Sequence, residues 1–83
     1  VSLTVLYFAW LRERIGESEE RVETSAATVA DLVAELRERE PRYALAFSDM
    51  RAVRVAVDQE LADLAAPLAG AREVAFFPPM TGG

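Results

Sequence analysis

Apolar and polar residues alternate at the two ends of the chain and recur at helical spacing between them, and this succession predicts the elements. Over 2–9 the sequence S-L-T-V-L-Y-F-A puts Leu3, Val5 and Tyr7 on one parity and Ser2, Thr4, Leu6 and Phe8 on the other, the period-two pattern of a first strand. Residues 10–15 make a short turn of helix stopped by Gly16, which can take the left-handed conformation that ends helices. Glu19–Glu23 alternates around Val22 and reads as an edge strand in a hairpin with the first. Thr28 is a good helix start, its hydroxyl accepting from an exposed backbone N–H while Asp31 reaches back as in a capping box. Val29, Leu32, Val33 and Leu36 then follow at i, i+3, i+4 and i+7, one face of a helix. Pro41 lacks the N–H a continuing helix needs and disfavours helical geometry at Glu40, so the helix ends about there.

Beyond it Tyr43, Leu45 and Phe47 read as a satellite of the core in a loosely helical connection. A third strand spans 53–57, with Val53, Val55 and Val57 facing one way and Arg54 and Ala56 the other. Asp58-Gln59 is a tight turn into a short strand at Glu60–Ala62; 67–72 form a loop, and Glu73–Phe77 closes the sheet. Four or five strands with one main helix leave one sheet face covered and the other bare. The predicted fold is α+β, a β-grasp or ubiquitin-like mixed sheet of four to five strands. It divides into a β-grasp domain over 1–77 and an extended tail over 78–83. In that tail Pro78-Pro79 end the strand ladder, because neither has an N–H, and the arm becomes flexible beyond them.

Composition narrows the chemistry. At 83 residues, 52% hydrophobic and 28% charged, the chain suits one small folded domain. It contains no cysteine and no histidine, which removes the thiol nucleophile, the commonest general base and the commonest transition-metal ligand. Its carboxylates show no metal-ligand spacing, so no metal site is expected. A net charge of −5 repels phosphate backbones and leaves nucleic-acid binding without support. No apolar run approaches the ~18 residues of a membrane span, and the start lacks the basic region of a signal peptide, so the expectation is a cytoplasmic protein without a membrane. All nine basic residues are arginine.

The remaining chemical feature is Gly82-Gly83. A carboxylate is a weak electrophile and must be activated, for instance as an acyl-adenylate made from ATP, before a nucleophile attacks it. Glycine at the last two positions lets such a backbone enter a narrow pocket, and the prolines behind set its reach.

The stretch Glu73-Val74-Ala75-Phe76-Phe77-Pro78-Pro79-Met80-Thr81-Gly82-Gly83 closely resembles the C-terminal signature of the small subunits of molybdopterin synthase. Further matches are Leu6-Tyr7-Phe8-Ala9, Leu11-Arg12-Glu13, Gly16, Thr28-Val29, Val57-Asp58-Gln59-Glu60 and Pro67-Leu68, so the resemblance spans nearly the whole chain. It departs from the family at Asp58, where Asn is usual, and at Gly70-Ala71-Arg72-Glu73, where the family has Gly-Asp-Glu; contacts with partners at those positions are the ones put in question. The resemblance implies that an E1-like, ATP-dependent adenylyltransferase activates Gly83 and that a sulfur donor converts its carboxyl to a thiocarboxylate. It implies no permanently bound cofactor. It further implies that the tail, Pro78, Pro79, Met80, Thr81, Gly82 and Gly83, enters a large subunit in a heterotetramer of two small and two large subunits. There the thiocarboxylate gives sulfur to cyclic pyranopterin monophosphate in molybdenum cofactor biosynthesis, with the catalytic side chains on the large subunit.

Phe8 and Phe77 lie on the parities opposite the core-facing ones, and the resemblance points to them and to Leu61 as an apolar patch gripped by partners, with Arg12 at its rim. Other readings of the same architecture are a sulfur carrier for thiamine, cysteine or tRNA thiolation and a ubiquitin-like modifier joined through Gly83 to lysines of targets. Without lysine, the chain could not build lysine-linked chains on itself.

Overall fold

The computed structural model describes residues 2–79; Val1, Met80, Thr81, Gly82 and Gly83 lie outside the described residues. The elements in chain order are β1 (Ser2–Tyr7), α1 (Ala9–Ile15), β2 (Glu19–Glu23), α2 (Val29–Arg39), α3 (Pro41–Ala46), a 3-10 turn (Met50–Ala52), β3 (Arg54–Val57), β4 (Glu60–Ala62) and β5 (Glu73–Phe77). The five strands form one mixed sheet in the order β2-β1-β5-β3-β4. The central pair β1 and β5 is parallel, while β1–β2, β3–β5 and β3–β4 are antiparallel. This is the predicted α+β arrangement, with β2 at one edge as the alternation around Val22 implied.

Parity decides which face is covered. Leu3, Val5 and Tyr7 of β1 and Val74 and Phe76 of β5 are buried against Leu11 and Ile15 of α1, Leu32 and Leu36 of α2, and Tyr43 of α3. Phe76 lies at the centre: its ring stacks on Tyr7 at 6.2 Å and meets Phe47 edge-on at 5.0 Å, offset and tilted geometries that aromatic quadrupoles favour.

Thr28 caps α2 as expected, its Oγ1 accepting from Asp31 N at 3.2 Å. The reciprocal bond from Asp31 is not among those formed by the described residues. The free N–H groups of the first turn go instead to loop carbonyls, Val29 N to Ala66 O and Ala30 N to Leu64 O, which ties the long loop before β5 to the helix.

One expectation is corrected at α3. Tyr43 and Phe47 are fully buried, but Leu45 is 66% exposed. Residues 43, 45 and 47 share a face only at a strand's period; once Pro41 starts a new helix, the inward positions are 43, 46 and 47. Tyr43 and Phe47 thus belong to the main core rather than to a satellite.

Register also places Glu20 opposite Val5, on the covered face. Its carboxylate accepts from the hydroxyls of Tyr7 at 2.7 Å and Tyr43 at 2.8 Å, so a carboxylate at the core margin is satisfied rather than orphaned. Burial first, then the hydrogen bond and charge of Glu20, hold the Tyr7 hydroxyl well above its ordinary pKa, keeping it a donor.

Candidate functional site

The uncovered face of the sheet carries the candidate site, and the strand register assembles it. One row of paired residues runs Leu6, Ala75, Ala56 and Leu61 across β1, β5, β3 and β4. Paired residues share a face, so these four project away from the helices. The two alanines in the middle are short and the residues around them are long, which hollows the face. The hollow is an open groove of about 550 Å³ lined by Leu6, Phe8, Ala56, Gln59, Glu73, Ala75, Phe77 and Pro78.

Phe8 is 48% exposed and Leu61 77% exposed, large apolar side chains left in water. Phe77 and Pro78 are half-buried, and Ala75 is almost covered by its neighbours. The groove therefore brings together Phe8, Phe77 and Pro78, and Leu61 lies beside its Ala56 floor. Arg12 is exposed on α1 and does not line the groove. Pro79 follows half-buried, and Met80, Thr81, Gly82 and Gly83 fall outside the described residues. Leu6, Ala56 and Ala75 had the right strand parity to be found from sequence, but alanine carries no signal of its own. Gln59 and Glu73 carried none, because their place depends on how the turn and loop pack.

Backbone geometry aims the lining side chains. Phe8 N donates to Phe76 O, which keeps the end of β1 on β5. Ala9 then takes φ 54°, a left-handed conformation unfavourable for alanine, and this bend turns the chain into α1 directly after Phe8. Ala9→Gly is expected to raise stability by up to about 1 kcal/mol in denaturant melts, because glycine holds positive φ without the Cβ clash.

At the other end Asp58 and Gln59 both have positive φ, 49° and 69°, as a two-residue type I′ hairpin turn requires. Asp58 Oδ1 accepts from Arg72 N at 2.9 Å and Glu73 N at 3.0 Å, and Asp58 N donates to Glu73 O at 2.9 Å. The two departures from the family pattern are thus in contact: Asp58 clamps the loop leading into β5. Asp58→Asn keeps the acceptor oxygen and suits positive φ, so the change in unfolding free energy should stay under about 1 kcal/mol. Asp58→Ala removes two hydrogen bonds at an exposed turn, where water can take the acceptor's place, and puts alanine at positive φ, so it should cost about 1–2 kcal/mol; chemical denaturation of both variants checks the pair.

Among the described residues, no group of three or more His, Cys, Asp or Glu is placed to hold a metal, and no helix is long and apolar enough to cross a membrane. The site offers an apolar surface with Pro78 at its edge.

Comparison with known proteins agrees in length and sequence. The ThiS family profile matches residues 5–83. The molybdopterin synthase sulfur carrier subunit of Escherichia coli K12 is 40% identical over 81 residues, covering 98% of this chain and 99% of that protein. The protein of the same name from Mycobacterium tuberculosis is 36% identical over 85 residues, covering 100% and 99%. Among solved structures, SAMP1 from Haloferax volcanii, a small archaeal modifier protein, superposes with a TM-score of 0.76 at 29% identity, covering all of both chains.

Proposed function

This chain belongs to the ThiS family, and from that premise we propose that it is a sulfur carrier, the small subunit of a molybdopterin synthase, with its cargo held at the carboxyl of Gly83. The observation that carries this reading is the near end-to-end match to curated sulfur carrier subunits, at 40% identity over 98% of this chain. A body without cysteine or histidine suits it: such a chain can present a reactive group but has little acid–base equipment of its own.

The steps divide between the arm and its partners. On an E1-like adenylyltransferase, a Gly83 carboxylate oxygen attacks the α-phosphorus of ATP and pyrophosphate leaves. A sulfide-level donor then attacks the activated carbonyl, the C–S bond forming as the C–O bond to phosphate breaks and AMP departs. The thiocarboxylate enters the large subunit, in a heterotetramer of two small and two large subunits. There its sulfur forms a C–S bond on cyclic pyranopterin monophosphate as a C–O bond there breaks, and water then cleaves the acyl–sulfur bond and returns the Gly83 carboxylate. Both partners seat on the apolar groove around Phe8 and Phe77, with Leu61 and Arg12 at its margin. From there Pro78, Pro79, Met80, Thr81 and Gly82 direct Gly83 into the active pocket. The adenylyl group and then the sulfur are carried transiently on the Gly83 acyl carbon, no cofactor stays bound, and the cycle runs in the cytoplasm.

Reconstitution tests this reading. The thiocarboxylate form, mixed with the large subunit and cyclic pyranopterin monophosphate, should yield molybdopterin; no product from an intact thiocarboxylate would overturn the pathway assignment and favour thiamine, cysteine or tRNA thiolation. A second reading, a protein modifier, draws on the likeness to SAMP1. It predicts a ladder of Gly83-dependent adducts on immunoblots of cells, which a dedicated carrier would not make.

A further inference from the structure

The groove is apolar along its length except at one end, where its lining includes the side chains of Gln59 and Glu73. Among the described residues Glu73 is the one charged residue of its lining. It is half-buried, and it stands at the start of β5 on the same face as Ala75 and Phe77. Its backbone is held on both sides, N–H to Asp58 Oδ1 and carbonyl to Asp58 N, so the origin of the side chain is fixed relative to the groove floor. Its carboxylate has no hydrogen bond or ion pair with any other described residue. The nearest cation by register is Arg21, which is across Thr4 in the row Arg21, Thr4 and Glu73 and donates to Thr4 Oγ1.

A protein surface seated on Leu6, Ala75 and Phe77 covers Glu73 as well. Taking an unpaired carboxylate out of water costs several kcal/mol unless an opposite charge meets it. An apolar patch alone binds in many orientations, whereas one charge at one end of it penalises the wrong ones. We propose that Glu73 is a specificity-determining contact of the docking face. It pairs with an arginine or lysine on the partner, at the end of the groove away from Pro78, and so fixes which way the partner lies along the groove. The occupant is a protein surface with an apolar knob for the Ala56–Ala75 floor and a cation beside it. The inference rests on the sulfur-carrier reading for the identity of that partner, the large subunit.

The test is titration calorimetry of the large subunit against the wild-type chain, Glu73→Gln and Glu73→Arg, at low and high salt. Arg37→Glu, on the exposed side of α2, serves as a charge control. Circular dichroism melts establish that each variant is folded. Expected are a loss of about tenfold for Glu73→Gln and about a hundredfold or more for Glu73→Arg at low salt, narrowing as salt rises, with Arg37→Glu close to wild type. Wild-type binding with both Glu73 variants equally tight would overturn the contact and leave the carrier reading intact. No binding by the wild-type chain would overturn both.

Discussion

Removing Gly83 should abolish molybdopterin formation while leaving the melting temperature of the body unchanged. Among the described residues the core cluster runs from Leu3 to Phe76, and a glycine has no side chain to add to it. The chemistry depends on it entirely: without that residue the reactive carbonyl moves one position back along the arm. An active pocket requires reacting atoms to be placed within a few tenths of an ångström, and about 1 Å of misplacement already costs about a hundredfold in rate. One residue of extended chain is about 3.3 Å, so the loss should be complete within detection. Gly83→Ala is a milder version, adding a methyl beside the carbonyl. The measurement is product formation with purified large subunit, alongside thermal melts of the small subunit alone. Residual activity close to wild type would mean that the arm's end is not the sulfur site.

The second large effect is expected at Phe8. Truncation to alanine should weaken binding to the large subunit by about 2–4 kcal/mol, the range of an aromatic anchor at the centre of an interface. Its ring is 48% exposed and lines the groove, so the same change should cost the isolated chain far less than truncating a buried ring such as Phe76, about 3–5 kcal/mol. Leu61 is a contrast within the same face. At 77% exposure on a three-residue edge strand, it stands at the margin, and Leu61→Ala should cost about 1 kcal/mol or less. Calorimetry with each variant separates the two, and equal losses at both positions would argue against a groove centred between β1 and β5.

Strand parity carried the fold and most of the face. Alternation in 2–8 separated Leu3, Val5 and Tyr7 from Leu6 and Phe8, and the structure divides them between core and groove in that way. What was not legible depends on contacts between segments far apart in sequence. Leu45 was misread because Tyr43, Leu45 and Phe47 fit a two-residue period as well as Tyr43, Ala46 and Phe47 fit a helical one, and only packing against α1 and α2 selects between them. Glu20 looked like one acidic residue among several on an edge strand; register with Val5 and the hydroxyls of Tyr7 and Tyr43 make it a buried-side anchor. Ala56 and Ala75 matter for being small between long neighbours, a property of the assembled face. The clamp from Asp58 to the 72–73 backbone joins a turn to a loop fourteen residues away, which no local pattern announces.

The central claim, that the Gly83 carboxyl holds the sulfur, is tested most directly by intact-mass spectrometry. The chain is incubated with the adenylyltransferase, ATP and a sulfur donor, then fragmented to locate any change. The account predicts a species in which one oxygen has been exchanged for sulfur, with the substitution confined to the C-terminal fragment holding Gly83 and absent when ATP is left out. An unchanged mass with active adenylyltransferase, or sulfur found elsewhere on the chain, would contradict it.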